Sequence, residues 1–519
     1  MRKQLVAALM AGLVLVTAPP VEAAAQPDAP GGRAASAGAS ASIDWAECGT
    51  TFKGECATVK VPVDHANPSG ATLDLAIGRL KALDPARRLG VLIAHPGGPG
   101  SSGINSYITG RGIPDDSPLR QYFDIVSVDP RGVGRSNPVL CSADLVHGTP
   151  ADYPAGEADY QTWLAFNSKL SQDCREHTGA LFDHVSTTDA VRDIDAIRVA
   201  LGEREISFFA ISYGTQVGQQ YAELFPQRIR AMAIDSNMDH SITSAYEYLK
   251  TTTEDFEGSF LEFAKWCGDT SACALHGREV TRVWDGLHDR AEAGRLIDPG
   301  TGRAISAEAL RIELFNALYN PARDWFAISS RLKALADGEP APQPATTPAT
   351  AETTGYPYPA IWCSDWKWNV SGFAELDQYR QRLESLAPHT KISPFWFDVL
   401  TCLGWQGKVS NPQHKLKISG TPPMLLAKAR YDVATPAAWN YAAASQIPGS
   451  TVLEYDGVGH GQFRNSRCAR THIEAYLINL KLPAPGTRCA AEYPVQQPKA
   501  VEHAPESPLS VIGRPQHGR

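Results

Sequence analysis

Strand-like and helix-like segments alternate along two stretches of this 519-residue chain, and that alternation limits its possible folds more than any other feature. Short apolar segments bounded by turn residues lie at 90–94, 123–128, 206–211, 229–234, 423–427 and 451–455. Strands that alternate with helices usually form a mostly parallel sheet with helices on its faces. A Trp-rich, helix-leaning segment separates the two stretches. We therefore predict an α/β fold in which a helical cap is inserted between two halves of one sheet.

The chain is longer than one compact core usually requires, which favours a main domain with a sizeable insertion. Near the N-terminus, a segment rich in Ala, Gly, Ser and Pro cannot bury enough apolar surface to order itself. We predict a signal peptide at 1–25, a flexible leader or propeptide at 26–44, the first half of the core at 45–240, the cap insertion at 241–414, the second half of the core at 415–493 and a disordered tail at 494–519.

The N-terminus is typical of an export signal. Arg2 and Lys3 precede a short apolar stretch at 5–16, and an alanine-rich exit offers cleavage after Ala23 or Ala25. The apolar stretch is short for a membrane span, and no later segment is long and apolar enough to replace it. We therefore predict a secreted protein, extracellular or associated with the cell wall. An uncleaved membrane anchor is the alternative.

The chain contains ten cysteines, and an even number fits an oxidising compartment. The candidates for disulfide bonds are Cys48, Cys56, Cys141, Cys174, Cys267, Cys273, Cys363, Cys402, Cys468 and Cys489. The simplest connectivity joins neighbours in sequence, but the sequence leaves other pairings, and free buried thiols, open. No Cys-x-x-Cys pair with zinc spacing occurs, so we predict no metal site.

The overall charge argues against two kinds of partner. The formal net charge is -8 at pH 7. Nucleic acids and anionic membrane surfaces both attract proteins with clustered Lys and Arg. We therefore expect no nucleic-acid partner and no stable membrane span, while the oligomeric state stays open.

One serine lies in a context typical of a catalytic nucleophile. The predicted strand 206–211 leads into a small-x-Ser-x-Gly turn centred on Ser212, and a helix-like segment follows. Such a turn needs small neighbours because its backbone is strained and other backbone comes close. The first small residue here is Ala210 rather than glycine. A serine that merely caps the helix is the alternative interpretation of Ser212.

An acid and a base follow the serine in the order that this fold requires. Asp432 comes after the predicted strand at 423–427, and His460 comes after the next strand, at 451–455. In the α/β-hydrolase arrangement the acid and then the histidine lie at the carboxyl ends of later strands. Asp432 could instead cap a helix, and His460 could be an ordinary loop histidine. The shared order favours a Ser212, Asp432 and His460 triad.

A glycine-rich segment at 95–103 follows the strand at 90–94. Its glycines allow backbone N–H groups to face a substrate carbonyl without interference from Cβ atoms. We predict that the N–H groups of Gly98 and Tyr213 stabilise an oxyanion. A phosphate-binding loop is disfavoured because the segment lacks the Lys-Ser or Lys-Thr ending and the dinucleotide glycine spacing.

These motifs together resemble a known family. The segments 95–103, 129–136, 212–215, 430–432 and 459–461 are similar to the exported tripeptidyl aminopeptidase branch of the prolyl-iminopeptidase-like α/β-hydrolases. The likeness extends over roughly 45–490 and includes the cap motif at 360–365. The chain departs from the family at Ala210 and at 427–429, where a glycine usually precedes the triad acid.

The resemblance implies an α/β-hydrolase fold and a serine exopeptidase. Such an enzyme would remove short peptides, tripeptides in this branch, from free N-termini through an acyl-enzyme on Ser212. No cofactor is implied, and the partners would be peptide substrates with free N-termini. Because relatives include esterases, a carboxylesterase on the same scaffold is an alternative. A catalytically silent binding protein is a third hypothesis.

Recognition of a free N-terminus requires a carboxylate, because a buried ammonium ion needs a partner to offset its desolvation. Asp365, which lies among Trp362, Trp366 and Trp368, is the first candidate in the predicted cap. The other candidates are Glu254, Asp255 and Glu257. Each of these acids could instead be a solvated surface charge.

Overall fold

The structure, a computed structural model, describes residues 43–50, 52–339 and 351–496. The predicted signal peptide, nearly all of the leader and most of the predicted tail lie outside the described residues. The strands are β1 (Ala46–Glu47), β2 (Glu55–Pro62), β3 (Thr72–Leu80), β4 (Gly90–His95), β5 (Phe123–Val128), β6 (Leu140–Ser142), β7 (Ile206–Ser212), β8 (Ile229–Asn237), β9 (Thr353–Gly355), β10 (Leu425–Tyr431), β11 (Thr451–Val458) and β12 (Arg488–Cys489).

The helices before the second half of the sheet are α1 (Leu119–Tyr122), α2 (Ala143–His147), α3 (Glu157–Thr178), α4 (Thr187–Ala200), α5 (Tyr213–Leu224), α6 (Ala245–Asp269), α7 (Val280–Glu292), α8 (Ala307–Ala317), α9 (Pro321–Asp337), α10 (Pro357–Asp365), α11 (Phe373–Leu386) and α12 (Trp396–Leu400). The later helices are α13 (Ala437–Ser445), α14 (Gln462–Asn465) and α15 (Arg467–Asn479).

Ten strands form one sheet in the order β1-β2-β3-β5-β4-β7-β8-β10-β11-β12. From β5 to β12 every neighbouring pair is parallel. This arrangement confirms the predicted α/β-hydrolase fold, and all of the predicted strands are present. The antiparallel strands β1, β2 and β3 and the short parallel strand β12 were not predicted. Strand β3 joins the sheet through an antiparallel pairing with β5.

The sheet separates two hydrophobic clusters because alternate side chains of a strand point to opposite faces. On β7, Phe208 belongs to the cluster that includes Val217 of α5, whereas Phe209 belongs to the cluster that includes Ile473 of α15. These buried residues fix the strands against helices on both faces. The carboxyl ends of the parallel strands are therefore held at one edge, where ligands bind in open α/β sheets.

The segment predicted as the cap contributes helices α6 to α12 and the short strand β9. Among its described residues, none lies in a strand of the ten-stranded sheet. Its aromatic side chains, including Phe260, Trp284 and Trp325, form a third hydrophobic cluster. Strand β9 pairs with β6 in a separate two-stranded sheet. The cluster also includes residues outside 241–414, among them Trp163 and Trp439, so these helices pack against the rest of the chain as well as against one another.

The cysteines form disulfide bonds between neighbours in sequence, which is the simplest of the possible connectivities. The pairs are Cys48–Cys56, Cys141–Cys174, Cys267–Cys273, Cys363–Cys402 and Cys468–Cys489. Within the described ranges, no helix combines the length and the apolar character needed to cross a membrane.

Candidate active site

Ser212 occupies a strained turn between β7 and α5. Its backbone has φ 63° and ψ -137°, a positive φ that a non-glycine residue rarely adopts. Close neighbours explain the small residues around it: a Cβ on Gly214 would lie 2.7 Å from His95 Nδ1, and one on Gly97 would lie 2.9 Å from Ser212 Cβ. The predicted strand, sharp turn and helix are therefore all present, and the turn holds the serine at the carboxyl end of β7.

The structure brings Asp432 and His460 into direct contact. Nδ1 of His460 lies 2.9 Å from Oδ1 and 3.0 Å from Oδ2 of Asp432. Asp432 immediately follows β10, and His460 lies just beyond β11, so the parallel pairing of these strands sets the two side chains side by side. Both side chains are buried.

The Asp432 carboxylate is held by further donors. Oδ1 accepts hydrogen bonds from the backbone N–H groups of Ala434 at 2.9 Å and Thr435 at 3.1 Å, and Oδ2 accepts one from the Thr435 hydroxyl at 2.8 Å. Burial alone would raise the pKa of Asp432, but His460 and the hydrogen bonds outweigh it and lower that pKa below its ordinary value. Asp432 is therefore an ionised partner for the imidazole.

The loop that carries His460 contacts the strand that carries Ser212. A Cβ on Gly461 would lie 3.4 Å from Cγ2 of Ile211, the residue before the serine. The His460 backbone N–H donates to the carbonyl of Tyr319 at 2.9 Å, and the two rings meet edge to face at 5.0 Å. Nε2 of His460 is buried and has no hydrogen-bond partner among the described residues. The hydrogen bond from Ser212 to His460 is thus not formed here, and such bonds often tighten only when substrate binds.

Two residues at the end of β8 support the histidine loop, and the sequence analysis missed them. The Ser236 hydroxyl oxygen accepts a hydrogen bond from the Gly461 N–H at 2.8 Å, and Oδ2 of Asp235 accepts one from the Phe463 N–H at 2.8 Å. Ser236 also has a positive φ of 61°. Its hydroxyl also contributes to the lowered pKa of Asp432. No local pattern signals these contacts, because they join residues that are distant in sequence.

The glycine-rich loop lies directly beside the serine. Gly98 has φ 110°, and a Cβ there would lie 2.9 Å from the backbone nitrogens of Gly100 and Ser101. Asp129 anchors the far end of the loop, because its Oδ1 accepts hydrogen bonds from the Ser102 hydroxyl at 2.5 Å and the Ile104 N–H at 3.1 Å. The predicted oxyanion donors, Gly98 and Tyr213, therefore lie on two neighbouring turns at the same edge of the sheet.

The four candidate acids for ammonium binding occupy different environments. Asp365 is fully buried and surrounded by internal donors. Glu257 is buried and accepts hydrogen bonds from the N–H and hydroxyl of Thr390. Glu254 is exposed and lies 3.7 Å from Lys250. Asp255 is partly buried beside Asp432.

Asp255 contacts the candidate triad through the backbone. Its Oδ2 accepts hydrogen bonds from the N–H groups of Asp432 at 3.3 Å and Ala437 at 3.1 Å. Burial, with a smaller contribution from the charge on Asp432, raises the pKa of Asp255 to about 7. Of the four predicted acids, Asp255 alone forms a hydrogen bond with a residue of the predicted triad.

Comparison with known proteins places this chain in a family. The chain is 30% identical over 482 residues to a tripeptidyl aminopeptidase of Streptomyces lividans, a match that covers 88% of each chain. The chain belongs to the tripeptidyl aminopeptidase family. It is therefore a serine hydrolase of a peptidase family, as the motifs predicted.

Further comparisons find similar proteins with both peptidase and esterase names. The family model described as TAP-like protein matches residues 389–489, which contain Asp432 and His460. Serine protease Hip1 of Mycobacterium tuberculosis is 28% identical over 467 residues, covering 84% of this chain and 87% of that one. A protein of the same organism named carboxylesterase B is 28% identical over 460 residues, covering 84% of this chain and 86% of that one.

Proposed function

We propose that this protein is an exported serine exopeptidase that releases tripeptides from the free N-termini of peptides. Ser212 is the nucleophile, His460 the general base and Asp432 the acid that orients it. The observation that carries this proposal is the 2.9 Å contact between His460 Nδ1 and the ionised Asp432, beside a serine held at φ 63°. Membership of the family, together with the names of its relatives, supports peptides as substrates.

The proposed mechanism uses only groups of the chain and water. As the Ser212 Oγ attacks the scissile carbonyl, Nε2 of His460 takes its proton, and Asp432 stabilises the resulting imidazolium. The N–H groups of Gly98 and Tyr213 donate to the oxygen of the tetrahedral intermediate. His460 then protonates the leaving amine, and water attacks the acyl-enzyme in a second cycle. The unpartnered Nε2 of His460 is the atom left available for this proton transfer.

Export is the second part of the proposal. Disulfide bonds persist in oxidising compartments and are rare in the cytosol, and this chain forms five of them. A signal peptide cleaved near Ala23 or Ala25 would deliver the chain to such a compartment. N-terminal sequencing of the mature protein tests this step, and a mature chain that still begins at Met1 contradicts it.

Asp255 is the acid that we propose for recognition of the substrate ammonium group. Internal donors bond to both carboxylate oxygens of Asp365 and of Glu257, whereas those of Asp255 bond to Oδ2. Glu254 is exposed to water, where an added ion pair contributes little. Asp255 is partly buried, and burial raises its pKa more than its backbone hydrogen bonds and the charge of Lys428 lower it. A substrate ammonium ion would supply a compensating positive charge and favour the carboxylate.

The decisive test compares peptide anilides with free and with blocked N-termini. The proposal predicts cleavage of the free peptides, with tripeptides as the products that mass spectrometry detects from a mixed library. Asp255→Asn should raise KM for free peptides by roughly tenfold or more, which corresponds to the loss of one charge-assisted contact. Glu254→Gln is the matched control and should leave KM unchanged. Equal cleavage of blocked and free peptides contradicts ammonium recognition.

An ester hydrolase is the second candidate, because a relative named carboxylesterase B matches most of this chain. Short-chain p-nitrophenyl esters distinguish the two activities. Preference for esters over free peptide anilides, measured as kcat/KM, would favour the esterase. If a fluorophosphonate fails to label the folded, processed protein at all, the silent binding protein becomes the better account.

A further inference from the structure

A fully buried carboxyl group lies beneath the nucleophile turn. Asp365, the last residue of α10, has no exposed surface. Its Oδ1 accepts hydrogen bonds from the Thr187 N–H at 3.0 Å and from Asn411 Nδ2 at 2.7 Å. Its Oδ2 accepts hydrogen bonds from the hydroxyl groups of Thr187 and Tyr213 and from Gln216 Nε2. Five donors therefore converge on one side chain of the inserted segment.

Two of these donors belong to the helix that begins at the nucleophile. Tyr213 is the first residue of α5 and directly follows Ser212, and Gln216 lies one turn further along. The Tyr213 hydroxyl lies 3.2 Å from Asp365 Oδ2 and 2.6 Å from Thr187 Oγ1. Burial and the charge of Asp365 raise the pKa of Tyr213 well above its ordinary value, so the phenol keeps its proton and acts as a donor.

We propose that Asp365 is a positioning residue for the oxyanion site and acts through the side chain of Tyr213. This inference rests on the proposed function, in which the backbone N–H of Tyr213 donates to the oxyanion. By holding the phenol, Asp365 fixes the orientation of the first peptide of α5. The segment predicted as the cap is then part of the catalytic apparatus.

The energetics favour this role over simple packing. A buried carboxyl is costly to place in a protein interior and is often no more stabilising than an apolar group of the same shape. Burial raises the pKa of Asp365 to about 7 even though its hydrogen bonds from Thr187, Asn411 and Tyr213 oppose that shift. An oxyanion donor, in contrast, must lie within about 2.7–3.1 Å of the developing charge, so a small movement of the Tyr213 N–H would lower kcat.

Asp365 is itself held firmly. The Cys363–Cys402 disulfide pins α10 two residues before it. His240 contacts the backbone carbonyl of Asp365 through Nε2 at 2.9 Å. The disulfide bond and His240 therefore hold the backbone of Asp365 in place. Tyr213 is the partner that its carboxyl group orients.

The test uses Tyr213→Phe, which removes the hydroxyl and leaves the backbone N–H in place. Tyr221→Phe is the matched control, because Tyr221 lies on the same helix and donates a similar hydrogen bond to the buried Asp195. Tyr213→Phe should lower kcat by roughly ten- to a hundredfold, part of the loss seen when an oxyanion donor is removed, with KM changed less than about twofold. Tyr221→Phe should change melting temperature to a similar degree and leave kcat unchanged.

A double-mutant cycle tests the link to Asp365. If Asp365→Asn acts through Tyr213, then Asp365→Asn combined with Tyr213→Phe should lose little more activity than either variant alone. Full kcat in Tyr213→Phe overturns the inference even if Asp365→Asn does not fold. Fully additive losses in the cycle also overturn it.

Failure of the proposed function gives a different result. If the wild-type protein neither turns over peptides nor reacts with a fluorophosphonate at Ser212, the proposed function falls and the inference falls with it. If the wild type is active and Tyr213→Phe matches Tyr221→Phe in kcat, the inference alone is refuted.

Discussion

Replacing Asp432 by asparagine should remove a charge and place an NH2 donor beside the imidazole of His460. The backbone N–H groups of Ala434 and Thr435 both point at Oδ1 and cannot turn away. The amide oxygen of the substituted side chain must therefore take the place of Oδ1, which lies 2.9 Å from His460 Nδ1. The amide NH2 then takes the place of Oδ2, which lies 3.0 Å from His460 Nδ1. The NH2 can donate to the Thr435 hydroxyl and also to Nδ1. The variant should fold normally.

The lost charge sets the size of the effect. Without the carboxylate, the imidazolium that forms in the transition state has no anionic partner. In serine proteases an Asp→Asn change at this position costs about 10⁴-fold in kcat, partly because the histidine adopts the wrong tautomer. The same wrong tautomer is accessible here, because the amide NH2 lies beside His460 Nδ1, so we expect Asp432→Asn to lower kcat by about 10⁴-fold, or about 5 kcal/mol.

The assay is kcat for a free peptide anilide, with urea unfolding measured in parallel. Asp432→Ala provides the contrast, because it leaves the Ala434 and Thr435 N–H groups without their acceptor and should also lower the free energy of unfolding by about 1–3 kcal/mol. If Asp432→Asn keeps more than about a tenth of the wild-type kcat, Asp432 is not the acid of the triad.

Three further predictions follow from the packing around the site. Burial raises the pKa of Asp235 to about 6, so between about pH 4 and pH 6 the folded protein holds a proton that the unfolded chain has released, and the free energy of unfolding falls as pH rises through that range. Asp235→Asn should remove up to about 3 kcal/mol of that fall. Equal slopes of unfolding free energy against pH in the wild type and the variant would contradict this. Gly97 has φ 95°, and a Cβ added there would lie 2.9 Å from Ser212 Cβ, so Gly97→Ala should lower both kcat and melting temperature. A Cβ added at Gly286 meets nothing within 4 Å, so the control Gly286→Ala should raise the melting temperature slightly and leave kcat unchanged. Replacing Cys363 and Cys402 by serine removes a disulfide bond that joins positions 39 residues apart, and it should lower the free energy of unfolding in urea by about 4 kcal/mol. A decrease below about 1 kcal/mol would contradict this prediction.

Local patterns were sufficient to predict the strands of the parallel sheet except the short β12, and the residues that follow them. Ser212, Asp432 and His460 each come after a predicted strand, and parallel strands bring their carboxyl ends together. The topology of the sheet therefore carries most of the information about where these residues meet. The contact between Asp432 and His460 follows from that topology.

Contacts between distant segments were not predictable in this way. Asp365 looked like an acid available to a ligand, because its sequence neighbours are tryptophans and show none of its partners. Its donors Thr187 and Asn411 lie 178 and 46 positions away, so its enclosure is visible only in three dimensions. Ser236 was missed for the same reason, since its contact with Gly461 spans 225 positions.

The central claim is that Ser212 is the nucleophile, and a mapped covalent label tests it most directly. Treatment of the mature protein with a fluorophosphonate, followed by digestion and mass spectrometry, should find one modification, on Ser212. Ser212→Ala should take up no label and release no peptide products, with an unchanged melting temperature, because alanine meets the same backbone strain at φ 63° as serine does. A label on another residue, or peptide hydrolysis that persists in Ser212→Ala, would contradict the account.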